Sequence, residues 1–339
     1  MDINETLVER SIRASFPWRR LLLGTMGSLV LLWFLFHLAP WKAVWQALRA
    51  VDARFLAVAL LAVIVSPVVR AYRWRLLLFP RHQDLTYLSL LRALLIGQML
   101  NTMVPAKAGE LVRIQVLARR QYRNRIRILG SIVLEKWLDM MFQLALSVVA
   151  LLIIPAPPWF RDARATLGLA SLLFLLTAFF ALRYRVAVST WSEHIIQRFP
   201  EAWHNRLRRA VASALASLHV LRYTGIGLQL LILSLISLSL SVAVNTTVML
   251  ALGIRLPVAV SAFLLVALSL GITIPSAPTN LGIFHLICVL TLGLFGVASE
   301  LALSYAVLLH VTVFLPPIVL GGVSMLWELI RPADMVSIS

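Results

Sequence analysis

The sequence is poor in charge, in acidic residues and in cysteine. Only 13% of its 339 residues are charged, 14 acidic residues stand against 31 basic ones, and Cys288 is the single cysteine. One cysteine excludes a disulfide framework and a thiol-rich metal cluster within the chain. No metal-ligand spacing of histidines or carboxylates is present either, so we expect neither a metal nor a cofactor.

Polar segments long enough to fold alone are also missing. Hydrophobic residues make up 60% of the chain, which is typical of a polytopic membrane protein. The net charge of +17 therefore does not indicate nucleic-acid binding, and anionic lipid headgroups are the expected partner of the positive charge. Four arginines precede the first apolar run without a small-residue cleavage site after it, which favours an uncleaved first span.

The apolar runs predict an all-α polytopic membrane protein with about six full transmembrane helices and two oppositely oriented re-entrant helical hairpins. Residues 1–20 are expected to form a cytoplasmic segment, 21–330 the transmembrane domain and 331–339 a tail. Residues 183–223 are basic, with leucines at helical spacing, and predict a cytoplasmic amphipathic helix. The predicted spans cover about 21–38, 55–78, 128–154, 165–182, 225–252 and 301–326, and the hairpins about 85–118 and 257–297.

The distribution of basic residues sets the expected orientation. With both termini inside, 23 basic residues fall on the cytoplasmic side and 6 on the outside, in agreement with the positive-inside rule. Residues 85–118 have basic clusters on both flanks, which predicts a hairpin that enters and leaves on the cytoplasmic side. The alternative is one ordinary span followed by a loop. The predicted location is the cytoplasmic (inner) membrane, with multiple passes.

The first hairpin is interrupted by a polar break at 101–110. Pro105 cannot donate a backbone hydrogen bond and Gly109 loosens the helix. Lys107 and Glu110 each cost about 2.5–3.5 kcal/mol at the centre of a membrane helix. Interrupted backbone at membrane depth requires protein or water to satisfy it, so the break predicts the floor of a cavity.

A similar break recurs in the second half of the chain. Pro105 and Gly109 have the same spacing as Pro278 and Gly282, and each pair lies between two apolar arms. This pattern predicts an inverted repeat with broken helices that meet near the midplane. New helix N-termini there are suited to phosphate, and Lys107 and Arg113 add positive charge.

Several polar residues near the breaks allow a functional and a structural interpretation. Glu135 and Asp139 are four residues apart and share one helix face. In the functional interpretation they couple transport to protons or bind a headgroup amine. In the structural interpretation they form ion pairs with Arg113 or with the arginines at 70–75. Glu110 can pair with Arg113 or cap the second arm. Lys107 either contacts the lipid headgroup or extends its ammonium group to water, and Asn101 and Asn280 are expected to satisfy the broken backbone. His285 and His310 are expected to be lone histidines in the core. Most of the tryptophans are expected to anchor the membrane interface.

These motifs together resemble a known family. The blocks Asn101-x-x-x-Pro-x-x-x-Gly-Glu-x-x-Arg113, Glu135-Lys-x-x-Asp139 and Pro275-x-x-Pro-x-x-x-Gly282 are similar to the transmembrane region of lysylphosphatidylglycerol synthases, over about 20–330. The resemblance implies a flippase-like lipid-handling protein with two re-entrant hairpins. In two-domain members a soluble domain transfers the aminoacyl group. Since this chain ends soon after its last span, we expect no such activity.

The expected function is transport of an anionic phospholipid or a polyprenyl-phosphate-linked lipid across the membrane. The alternatives are a non-catalytic scaffold for envelope assembly and an integral-membrane transferase acting on a lipid-linked substrate. A homodimer is compatible with the sequence, and nucleic acid is not an expected partner. The predicted substrate-binding residues are Asn101, Pro105, Lys107, Gly109, Glu110, Arg113, Glu135, Asp139, Pro278, Asn280 and Gly282, and none is predicted to be catalytic or to bind metal.

Overall fold

A computed structural model describes the central part of the chain. It covers residues 41–78, 86–103, 109–120, 125–153, 224–271 and 280–330, together with isolated positions between 165 and 204. Within these residues the regular secondary structure is entirely helical, as the sequence predicts. The helices are α1 (Trp41–Arg49), α2 (Ala53–Leu77), α3 (Tyr87–Met103), α4 (Gly109–Arg120), α5 (Arg125–Ile153), α6 (Thr224–Ala251), α7 (Val258–Gly271), α8 (Ile283–Gly293) and α9 (Ser299–Ile330).

Four of these helices, α2, α5, α6 and α9, are long and apolar enough to cross a membrane. They correspond to four of the six predicted spans, which shows a multi-pass membrane protein. Only 17–28% of the apolar window of each is buried inside the protein, so most of each window is available to lipid. The predicted spans at 21–38 and 165–182 and the segment 183–223 lie wholly or largely outside the described residues.

Short apolar helices pair where the sequence predicts hairpins. Helices α3 and α4 pack against each other, and Gly97 lies against Arg113 while Gly109 lies against Asn101, so the two arms are antiparallel. Helices α7 and α8 pack in the same way, with Gly271 against Ile287. An interrupted helical hairpin therefore lies between two long helices in each half, in place of one continuous span and a loop. The side of the membrane on which each hairpin opens stays a prediction.

The packing between helices repeats in the two halves of the chain. The four helices of the first half, α2 to α5, correspond in order to α6, α7, α8 and α9 of the second half. When each helix is exchanged for its counterpart, every main contact between them corresponds to a helix contact that is also observed. For example, α3 packs on α9 and α7 packs on α5, while α2 packs on α6 at the centre. Only the contact between α1 and α9 lacks a counterpart among the described helices. The Pro-x-x-x-Gly similarity thus reflects a repeat of the whole four-helix unit.

The direction of α2 and α6 shows that the two halves are inverted. The Asp52 backbone N–H, before the start of α2, donates to the Ala251 carbonyl at the end of α6, at 2.9 Å. Near the other end, Arg73 Nη1 donates to Ser234 Oγ at 3.2 Å. Equivalent helices therefore run antiparallel, which confirms the inverted repeat predicted from the two breaks.

The two hairpins reach the middle of α9 from opposite ends. On α3, Arg92 lies at the level of Glu328 and Met99 at the level of Gly321, and Met103 is a further turn, about 6 Å, toward the centre. On α8, Leu286 and Val289 pack in one cluster with Leu303. Phe284 of α8 contacts Phe314, with ring centroids 5.6 Å apart. Both interrupted ends therefore lie near residues 314–317 of this 32-residue helix, beside Pro316 and Pro317.

The short helix α1 lies against the N-terminal half of α9. Val44 is buried against Leu303, while Trp45 is exposed and carries the Arg49 guanidinium over its ring at 5.3 Å. This amphipathic arrangement is typical of a helix that lies at the membrane interface.

Gly321 makes possible the close packing of α3 on α9. A Cβ atom at this position would lie 2.4 Å from Met99 Cβ and 2.6 Å from the Leu95 carbonyl oxygen. Gly321→Ala is expected to separate the two helices and to cost about 1–3 kcal/mol, as overpacking does. The measurement is the thermal unfolding midpoint of the purified protein in detergent.

The neighbouring Gly322→Ala is the matched control for this prediction. Its Cβ would meet Met99 Sδ only at 4.0 Å, so the midpoint is expected to stay unchanged or to rise with the better helix propensity of alanine. Equal midpoints for the two variants would contradict the proposed packing.

Candidate functional site

The interruption between α3 and α4 is closed by Asn101. Its Oδ1 accepts a hydrogen bond from the Gly109 N–H at 2.9 Å, and its Nδ2 donates to Glu110 Oε1 at 3.2 Å. The interpretation of Asn101 as a residue that satisfies broken backbone is confirmed. One N–H at the start of α4 is therefore already occupied by protein, and it is not available to a phosphate as the sequence argument assumed.

Glycine is required at both positions where α3 and α4 touch. A Cβ on Gly109 would lie 2.0 Å from the Gly97 carbonyl oxygen, and a Cβ on Gly97 would lie 2.4 Å from Arg113 Cγ. The close approach brings Glu110 and Arg113 of α4 toward the long helices α2 and α5. The charged residues of the hairpin therefore lie inside the protein.

Glu135 on α5 is the centre of the resulting charge cluster. It is fully buried, and its Oε2 accepts from Arg113 Nη2 at 2.8 Å. Its other carboxylate oxygen lies 3.7 Å from the Arg70 guanidinium and 3.9 Å from that of Arg73. Asp139, one turn later on α5, accepts hydrogen bonds from Arg70 and Arg73 of α2. The ion pairs considered from the sequence are therefore present, with Arg113 and with the arginines at 70 and 73.

Glu110 connects the hairpin to the same cluster. Its carboxylate lies 3.1 Å from Arg113 Nη1 and 2.9 Å from Lys136 Nζ. The predicted pair of Glu110 with Arg113 is confirmed, and Lys136 is an additional partner. We call this group the ionic cluster; its members are Arg70, Arg73, Glu110, Arg113, Glu135, Lys136 and Asp139.

The ionic cluster carries more positive than negative charge. It contains four cations and three carboxylates, so at neutral pH one positive charge has no partner of its own. The buried Nε atoms of Arg70, Arg73 and Arg113 also have no hydrogen-bond partner in the described part of the chain. The cluster is only partly buried, because the Lys136 side chain is 48% exposed while those of Arg73 and Arg113 are enclosed. Open guanidinium donors beside an accessible cation are suited to an anion.

Trp74 supports the cluster in a role that the sequence did not indicate. We expected most of the tryptophans to anchor the membrane interface, and Trp74 is an exception because it is fully buried. Its Nε1 donates to Ser131 Oγ at 2.9 Å, and the Arg113 guanidinium carbon lies 4.1 Å from its ring centroid. This stacking fixes the orientation of Arg113. The available signal was the i, i+4 spacing of Trp74 with Arg70, which places both on one face of α2.

The second hairpin has a different polar content. Asn280 and Gly282 lie in the turn before α8, with backbone φ angles of 55° and 88°. His285 in the first turn of α8 is buried, and its ring centroid lies 5.1 Å from that of His310 on α9. The expectation of two lone core histidines is therefore wrong. The first-half cluster and this histidine pair occupy equivalent interfaces, between the second hairpin arm and the following long helix.

The remaining predicted residues lie outside this description. Pro105, Lys107 and Pro278 are outside the described residues, and the assignment of all eleven predicted residues to cargo binding stays a prediction. Sequence reasoning left three members of the ionic cluster out of the site, namely Arg70, Arg73 and Lys136. It also missed Trp74, which packs against the cluster. Among the described residues, no group of three or more histidine, cysteine, aspartate or glutamate side chains is arranged to hold a metal ion.

The buried carboxylate of Glu135 compensates several arginines at once. Glu135→Gln is expected to leave the buried Arg113 with Glu110 as its remaining counter-charge and to destabilise the protein by about 3–5 kcal/mol, as broken buried ion pairs do. The check is thermal unfolding in detergent. Glu328→Gln, which removes a partly exposed pair with Arg92 at 3.8 Å, serves as control and should cost less than about 1 kcal/mol. Equal losses would show that burial of the cluster does not determine stability.

The arrangement agrees with the result of sequence comparison. No curated protein matches the chain. Residues 20–321 match the family described as the lysylphosphatidylglycerol synthase TM region, and this range contains both hairpins and every member of the ionic cluster. The chain is therefore a multi-pass membrane protein that belongs to the lysylphosphatidylglycerol synthase transmembrane-region family.

Proposed function

We propose that the protein moves an anionic lipid, a phospholipid or a polyprenyl-phosphate-linked lipid, across the cytoplasmic membrane. The observation that carries this proposal is the convergence of two inverted hairpins on the middle of α9, in a protein whose first half has more cations than carboxylates around the buried Glu135. Inverted repeats with interrupted helices at the midplane are a recurring transporter architecture.

The ionic cluster gives the proposed site its preference for anions. A phosphate diester has one negative charge, and the cluster has one cation more than its carboxylates compensate. Arg70 is the guanidinium best placed to meet cargo, because its side chain is 26% exposed while those of Arg73 and Arg113 are buried. In this proposal Glu135 and Asp139 hold the arginines in place, and they do not act on cargo themselves.

The orientation follows from charge. The basic flanks of the first hairpin place its open end and both termini on the cytoplasmic side, by the positive-inside rule. Cargo then meets the ionic cluster first when it enters from the cytoplasmic leaflet. We further propose that the chain carries no catalytic activity of its own, so lipid composition should stay the same while its distribution between leaflets changes.

The proposal is tested with purified protein reconstituted into vesicles. Fluorescent phosphatidylglycerol is followed by a membrane-impermeant reductant that quenches only outer-leaflet lipid. Arg70→Gln is expected to slow its movement about tenfold, which corresponds to about 1.4 kcal/mol of lost interaction. Arg92→Gln, which removes a cation outside the cluster, should retain the wild-type rate.

Two results would contradict the proposed function. The first is a rate equal to that of protein-free vesicles for phosphatidylglycerol and for a polyprenyl phosphate alike. The second is equally fast movement of phosphatidylcholine, which has no net charge. A change in the chemical identity of the lipid, detected by mass spectrometry of the same vesicles, would favour the transferase alternative.

A further inference from the structure

The second hairpin contains a pair of imidazoles that the ionic cluster does not explain. The rings of His285 and His310 lie 5.1 Å apart between centroids and are inclined at 36°. Phe284 packs edge-on against His310, and Phe314 lies 4.4 Å from the His310 ring. Only 4% of His285 is exposed, and its Nδ1 has no hydrogen-bond partner in the described part of the chain. An orphaned polar atom in an apolar interface is costly unless a ligand or a proton uses it.

His285 lies in the first turn of an interrupted helix. Helix α8 begins at Ile283 after Gly282, which has no side chain to accept from the first backbone N–H groups. The first four N–H groups of a helix have no partner within the helix and carry partial positive charge. The unpartnered imidazole atom therefore lies beside a set of donors that favours an anion.

Among the described residues, the surroundings of the pair contain no counter-charge. Helices α6 and α7 have no ionisable residue, and α2 has none between Arg54 and Arg70. On α8 and α9 the other titratable groups near the pair are the buried Cys288 and Tyr305, both neutral in such an environment. The acidic residues of α9, Glu300 and Glu328, are 10 and 18 residues from His310, about 15 and 27 Å along the helix.

The elements that pack against α9 do not supply a carboxylate either. Helix α3 contributes Arg92, which is occupied with Glu328 at the far end of α9, and Tyr87. Helix α1 contributes Lys42 and Arg49. An imidazolium at this place therefore has only an incoming anion to balance it among the described residues, because a dry interface disfavours an uncompensated charge.

We propose that the N-terminus of α8 together with His285 and His310 forms a proton-dependent anion site, which takes the phosphate of the lipid headgroup when the imidazole pair has bound a proton. This inference rests on the proposed function and adds that movement of the lipid is coupled to a proton. The proton enters from water onto an imidazole nitrogen, and it leaves to water when the phosphate departs. Headgroup and proton then move together, so their charges cancel for a monoanionic lipid.

The two halves thus treat the same anion differently. The first half offers guanidinium groups that stay charged at every physiological pH, whereas the second half becomes positive only by protonation. A permanently positive pair of sites would hold the anion at both ends of its path. A titratable second site instead releases it when the proton is lost.

The direct test measures protonation of the histidines. Full-length protein with ¹⁵N-labelled histidine is placed in nanodiscs of phosphatidylglycerol or of phosphatidylcholine, and the imidazole resonances are followed from pH 5 to pH 9. The protonation midpoint of His285 or His310 is expected to be about one pH unit higher in the anionic lipid. Inorganic phosphate added to phosphatidylcholine nanodiscs shows whether free phosphate produces the same shift, which would assign the site to soluble phosphate. Equal midpoints under all three conditions overturn the inference.

Transport measurements separate this inference from the proposed function. The rate of phosphatidylglycerol movement is expected to fall between pH 6 and pH 8 in the wild-type protein. His285→Gln should be slow at every pH because it cannot be protonated, and His310→Lys, whose fixed charge cannot release the anion, should also be slow at every pH. His82→Gln is the control and should keep the wild-type profile. Wild-type transport that does not vary with pH overturns the proton-dependent site while leaving the transporter intact.

Discussion

The described structure depends on one buried contact, the ion pair between Arg113 and Glu135. Arg113 belongs to the 12-residue helix α4, and Glu135 lies in the first half of the 29-residue helix α5. A fully buried carboxylate is tolerated only with close counter-charges, and here Arg70, Arg73 and the Trp74 ring surround the pair. Hairpin position, arginine orientation and local charge balance therefore change together if this contact changes.

The inverted arrangement explains why the interrupted ends of the two hairpins lie at a common level. Each hairpin lies against the last long helix of its own half and also against that of the other half. Both hairpins therefore lead to one depth rather than to opposite surfaces. The two halves share this geometry but differ in chemistry, with fixed charges around Glu135 in one and imidazoles and aromatic rings around His285 in the other.

The sequence predicted features that depend on short spacing. Asn101 and Gly109, and Glu110 and Arg113, are close along the chain, so propensity and helix geometry were sufficient to pair them. The repeat was also readable, because each break combines proline and glycine with polar residues, whereas Pro67, Pro316 and Pro317 lie within continuous helices. Contacts between distant segments were readable where opposite charges required a partner, as for Glu135 and Asp139 with the arginines. The contact of Trp74 with Arg113 and the pairing of the two histidines were missed. Nothing in local spacing indicates that residues 25 positions apart, as in that pair, share an interface.

Pro316 and Pro317 on α9 have a further consequence for the level where the hairpins converge. A proline nitrogen carries no hydrogen, so the carbonyl oxygens of Thr312 and Val313 have no donor four residues later. The helix continues through this point, and two backbone acceptors are consequently left without their usual bonds in its central turns. The middle of α9 thus contains two carbonyl oxygens without their usual helical donors, at the level where the interrupted ends of the two hairpins lie.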